Sequence, residues 1–190
     1  MHATLTRVIK QMLLTIYETK LLFKIRTKMS CVPKKIVRCI GKCSSGLTLE
    51  ELDNITDHIQ KTLNDCKGRK IFREFLRQSN RVDDLACLDF YEKICEFIEN
   101  DKTETSSTTQ PSVKVLTENI NEALDIAANL YGVPEIDMAL LERFSECLTT
   151  PCRAAMLDVL SDTKLRLMDH LTNAHKDFRI YLLEPCPKTK

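Results

Sequence analysis

A chain of 190 residues is long enough for one ordinary domain with an extension, and a domain of that size buries well over half of its unfolded surface. A hydrophobic content of 43% with only 4 Gly and 6 Pro, and no obvious alternating apolar segments, argues against a β-rich or low-complexity chain and predicts an all-α protein. The net charge of +1 hides a division: residues 1–45 carry ten Lys/Arg against Glu18 alone, net +9, whereas the remainder carries eighteen Lys/Arg against 26 acids, net −8. The basic arm calls for an anionic partner, a membrane leaflet or nucleic acid, and the acidic body argues against nucleic acid.

Within the arm, Leu5, Val8, Ile9, Met12, Leu13 and Ile16 share one face of a predicted helix over 5–18, with Arg7, Lys10 and Glu18 opposite. No uncharged run approaches the roughly 18–20 apolar residues of a membrane span. A helix lying in the lipid interface fits, each basic residue near an anionic leaflet contributing about 1 kcal/mol. Cys31, Cys39 and Cys43 stand among Lys34, Lys35, Arg38 and Lys42, so S-acylation there would supply a second anchor. Two other readings stay open: an arm packed on the domain, and a mitochondrial presequence. The nine cysteines form no even framework and no signal-peptide apolar region is evident, so reduced thiols in the cytoplasm are expected.

Residues Gly41 to Gly46 break the pattern, and the domain is expected from residue 46. Thr48 and Glu51 fit a capping box, followed by a stripe of Leu52, Ile55, Ile59 and Leu63. The stretch 66–98, CKGRKIFREFLRQSNRVDDLACLDFYEKICEFI, reads as two striped helices around a polar turn. Ile71, Phe72, Phe75 and Leu76 make the first ridge; Cys87, Leu88, Phe90, Tyr91, Ile94, Cys95, Phe97 and Ile98 make the second. Asp83 or Asp84 is expected to cap the second helix. Residues 100–112 hold no apolar side chain and read as a solvated loop.

A helix follows from an N-cap at Ser112, striped by Val115, Leu116, Ile120, Leu124, Ala127, Ala128 and Tyr131 and stopped by Gly132 and Pro134. A short helix over 137–148 turns Met138, Leu141, Phe144 and Leu148 inward. Thr150 then reads as the N-cap of a helix with Pro151 at its first position. Its face carries Met156, Leu157, Leu160, Leu165, Met168 and Leu171, with a break expected near Ser161 and Asp162. Residues 175–182, HKDFRIYL, close the domain, leaving 185–190 as a tail.

Gly68, Phe72, Phe75, Leu76 and, after an acidic turn, Leu85 match without a gap the pattern G-x-x-x-F-x-x-F-L of the RGS homology domain, the family of regulators of G-protein signalling. Phe178, Tyr181 and Leu182 resemble that family's closing aromatic element, so the resemblance spans about residues 48–184. Cys87 and Leu88 replace its Phe-Trp pair, and Asp83-Asp84 its Glu-Asn. The resemblance implies a terminal subdomain, built from both ends of the domain, beside a central four-helix bundle. It also implies a monomer that binds the switch regions of a Gα subunit. Small members of the family have similar basic, cysteine-bearing arms, so the resemblance implies a peripheral place at the inner face of the plasma membrane.

No phosphate loop, nucleophile elbow or H-E-x-x-H motif is present, so no enzyme activity of the chain's own, no cofactor and no metal is expected. Cys147 and Cys152 are separated from His170 and His175 by 17 residues, against about 12 in a zinc finger. Family members speed GTP hydrolysis by binding the transition-state conformation of Gα, which carries its own arginine. Carried over, Asp83 keeps an acidic contact and Asp84 stands where the family has Asn. The segment 149–153 lacks the second Asn but offers Thr150 and Arg153, and Asp177 and Arg179 lie within a residue of the closing polar contacts. Loss of both Asn leaves a second reading open, a scaffold or interaction module without GTPase-activating capacity.

Overall fold

The fold, taken from a computed structural model, is described for residues 48–106 and 113–183; the arm, with Cys31, Cys39, Cys43, Lys34, Lys35, Arg38 and Lys42, lies outside them. The described residues form seven helices and no strand, an all-α protein. They are α1 (Leu49–Thr56), α2 (Ile59–Asn64), α3 (Cys66–Gln78), α4 (Val82–Ser106), α5 (Val113–Ala128), α6 (Met138–Thr149) and α7 (Arg153–Leu183).

The molecule is built on the antiparallel pair α4 and α7, which share its most extensive helix contact. Their register is uniform. Arg153 bonds Asp101 at 2.7 Å, the Lys164 ammonium lies 5.6 Å from the Tyr91 ring centre, the Cys87 thiol donates to the Leu167 carbonyl at 3.4 Å, and His170 faces Asp84 at 3.5 Å. Burial pushes the Cys87 thiol up, with Asp84 and Glu135 adding to the effect, so it stays a protonated core group. Helices α5 and α6 pack on each other and on this pair, while α2 and α3 pack on α7.

Why α3 sits so close to α2 is explained by Gly68: a Cβ there would meet the Thr62 carbonyl oxygen at 2.8 Å. The apolar ridge of α3 then meets the end of α7. Phe178 lies 5.1 Å from Phe72 and 5.4 Å from Phe75, and Tyr181 lies 5.7 Å from Phe75, between ring centres. These separations fall within the range of favourable offset or tilted ring pairs. Every residue of both expected ridges is buried, or partly buried in the case of Cys95 and Ile98.

Thr48 caps α1 in a capping box with Glu51, as the sequence suggests. Elsewhere the helices differ from expectation. The early stripe is split at Asp57 and His58, where the β/extended backbone of His58 separates α1 from α2. The polar run after residue 99 continues α4 to Ser106, because Asp101 is buried against Arg153 rather than solvated. Helix α5 stops at Ala128; Tyr131 lies beyond it and is exposed, as is Val115. Thr150 is the C-cap of α6, and Pro151 precedes α7 instead of opening it. No break falls at Ser161 or Asp162: α7 runs unbroken for 31 residues, about 46 Å. Asp162 is held there by Arg143 and Arg166, and along this face Leu165 is exposed while Leu167 is buried.

Candidate functional site

The α3–α4 turn is a defined structure. Asn80 adopts φ 55°, a left-handed conformation that Asn tolerates better than most residues. Its N–H bonds the Arg77 carbonyl at 3.1 Å, and the next N–H, of Arg81, bonds the Leu76 carbonyl at 3.0 Å. Together these close α3 in a Schellman motif. Helix α4 begins at once with Val82, so Asp83 and Asp84 sit in its first turn rather than at the cap, where carboxylates still favour the positive end of the macrodipole.

Around this turn, three segments meet. Asp83 lies over Gly132, where an added Cβ would fall 2.1 Å from the Asp83 carboxyl carbon. Asp84, only 17% exposed at its side chain, accepts from Arg81 at 3.3 Å and faces His170 Nε2 at 3.5 Å. The other ring nitrogen of His170 lies 2.7 Å from Glu135 Oε2. Arg81 also bonds Asp177 of α7. The segment 129–137 is secured from its far side by Arg166, which donates to the Glu135 carbonyl at 3.0 Å and pairs with Asp137 at 3.1 Å. Asp137 caps α6. Desolvation works to raise its carboxyl pKa, but the Leu140 N–H and Arg166 outweigh it and hold the group below the usual range. Val82, 65% exposed, and Tyr131, 44% exposed, flank the Asp83–Gly132 contact and give this end an apolar element.

Of the six residues expected to contact Gα, the structure brings three together here: Asp83, Asp84 and Asp177. Arg179 is turned toward α1, where it donates to the Asp53 carboxylate at 2.7 Å and to the Asp53 carbonyl at 3.2 Å. Thr150 and Arg153 do not share the surface. Arg153 bonds Asp101, seventeen residues along α4 from Asp84 and so about 26 Å away. The segment that does lie beside Asp83 and Asp84 is 129–137, which sequence reading treated only as a helix stop. Gly132 and Pro134 signalled a turn there, but nothing local signalled that Glu135 and His170 would meet.

A hollow of about 670 Å3 beside α3 and α4 is mixed in charge. Arg69 and Arg73 reach Glu92 across it at 3.3 and 2.8 Å, so its charges largely answer one another. Among the described residues no three His, Cys, Asp or Glu side chains gather as a metal cluster, and no helix is long and apolar enough to cross a membrane. Comparison with family models, with curated proteins and with solved structures gives no match to this chain.

Proposed function

We propose that the chain is a divergent RGS-type regulator that docks on the switch regions of a Gα subunit, with faster GTP hydrolysis by that partner as the consequence. One observation carries the proposal. The two runs that resemble the family, 68–85 and 178–182, lie about a hundred residues apart in sequence yet pack ring against ring through Phe72, Phe75, Phe178 and Tyr181. Two such runs meeting in one core is more specific than either run alone.

Docking is assigned to the end formed by the α3–α4 turn, residues 129–137 and the Asp177 region of α7, with Val82 and Tyr131 as apolar contacts and Asp83 as the acidic one. The chain contributes no reacting group. It acts by binding the transition-state conformation of Gα more tightly than the ground state. Lys34, Lys35, Arg38 and Lys42, with acylation at Cys31, Cys39 or Cys43, would bring it to an anionic inner leaflet.

A second reading, a scaffold that has lost GTPase-activating capacity, is favoured by the state of Asp84. Its carboxylate is committed to Arg81 and faces His170, and it offers no amide donor. Binding of the full chain to a panel of Gα subunits, in GDP and in GDP with aluminium fluoride, separates the two. Preference for the fluoride form supports the regulator; equal or absent binding across the panel removes it in favour of the scaffold.

A further inference from the structure

Among the described residues, five cations and three carboxylates line the hollow beside α3 and α4, and the two sets do not cancel. Every carboxylate is answered. Glu92 pairs with Arg69 at 3.3 Å and Arg73 at 2.8 Å, Glu96 with Lys93 at 3.4 Å, and Glu99 with Lys102 at 3.6 Å. Lys70 of α3 and Lys164 of α7 pair with no described carboxylate. Lys70 is exposed. The Lys164 ammonium is held 5.6 Å from the Tyr91 ring centre, on an aromatic face that draws its charge but accepts no strong hydrogen bond. Two ammonium groups, three donors each, are thus left over at one hollow.

We propose that this hollow binds a small soluble phosphate monoester, its phosphoryl group shared by Lys70 and Lys164. Such a group carries close to two negative charges and three acceptor oxygens, which two lysines match as point charges. A singly charged anion answers only one of them. Asn64, exposed on the same wall, adds an amide donor, and Cys66, Cys95 and Ile98, partly or fully open, offer an apolar strip to the organic part of the ester. A volume of about 670 Å3 falls within the roughly 300–1,000 Å3 of small-molecule sites. The body as a whole is acidic and disfavours anions elsewhere on its surface, so binding here is a property of the hollow. A seated phosphate ties α3 to α7 across Tyr91 of α4. The site lies apart from the Asp83–Gly132 contact and does not depend on docking to Gα.

Acetylation by an N-hydroxysuccinimide ester, read lysine by lysine by mass spectrometry on the full chain at constant ionic strength, tests this with phenyl phosphate as the probe. A Kd of about 1 mM would slow labelling of Lys70 and Lys164 about threefold at about 2 mM probe. Lys114 and Lys176, outside the hollow, should be unchanged. Benzenesulfonate, similar in shape with a single charge, should protect neither lysine. Lys164→Met keeps an apolar stem on Tyr91 and should abolish protection of Lys70. Lys70→Gln, at an exposed position, should abolish protection of Lys164 and serves if the first variant folds poorly. Absence of protection at both lysines overturns the inference. So does equal slowing at Lys114 and Lys176, equal protection by benzenesulfonate, or protection that one lysine keeps when the other is replaced.

Discussion

His175 Nε2 lies 2.8 Å from the Thr62 hydroxyl in the buried contact between α7 and α2, with the Phe72 ring edge-on at 5.8 Å between ring centres. Burial, helped by Arg179 and His58, lowers the His175 pKa to about 4. Unfolded, the same imidazole takes up its proton near pH 6.5. The unfolded state therefore binds the extra proton between those values. Stability from this group is complete above about pH 6.5 and falls as pH drops toward 4, by about 3 kcal/mol in total. Urea midpoints of the full chain between pH 7.5 and 4.5 should show that decline, and His175→Gln should flatten it. An equal slope in the variant would assign the acid sensitivity to other groups.

Gly68→Ala introduces a Cβ against backbone, the Thr62 carbonyl oxygen, which cannot swing aside. Alanine's helix propensity favours the substitution by about 1 kcal/mol, and forced separation of α2 from α3 outweighs it. A net loss of about 1–3 kcal/mol is expected, read as a lower urea midpoint at constant m-value.

Phe178→Ala removes a fully buried ring that touches both Phe72 and Phe75. A cost of about 3–5 kcal/mol is expected. In thermal unfolding this should be the most damaging of the aromatic truncations on α7, well beyond Tyr181→Ala, since Tyr181 is only partly buried.

Arg153→Ala leaves Asp101, 8% exposed, without its 2.7 Å partner. Stability should fall by about 1–2 kcal/mol, less than for a fully buried pair because Arg153 is itself partly solvated. Binding to any Gα that the chain recognises should not change, because Arg153 sits at the far end of α4. A loss of affinity without a loss of stability would move the docking surface to that end.

Asp84→Asn exchanges a carboxylate for an amide beside Arg81 and His170. Folding should tolerate it, with a cost of about 1 kcal/mol or less for the weakened pair. Affinity for the aluminium fluoride form of Gα should rise several-fold as a negative charge is removed and a donor supplied. Unchanged affinity in a folded variant would count against docking at the α3–α4 turn.

What could be known from sequence was local in origin. The all-α class, the capping box of Thr48 and Glu51, and the ridges Ile71–Leu76 and Cys87–Ile98 depend on neighbours within one or two helical turns, so periodicity and side-chain chemistry specify them. Helix ends were less legible wherever a distant partner decides them. Asp101 continues α4 because Arg153 reaches it across 52 residues, and α7 passes Ser161 unbroken while Arg143 and Arg166 hold Asp162. The candidate site is the extreme case. Asp83 and Asp84 stood out in sequence, but their neighbours Gly132, Glu135 and His170 are brought to them only by the antiparallel register of α4 and α7 and the seating of α5 and α6. That register is set by burial of apolar faces over the whole interface, a sum of many small contacts that no single stretch of chain encodes.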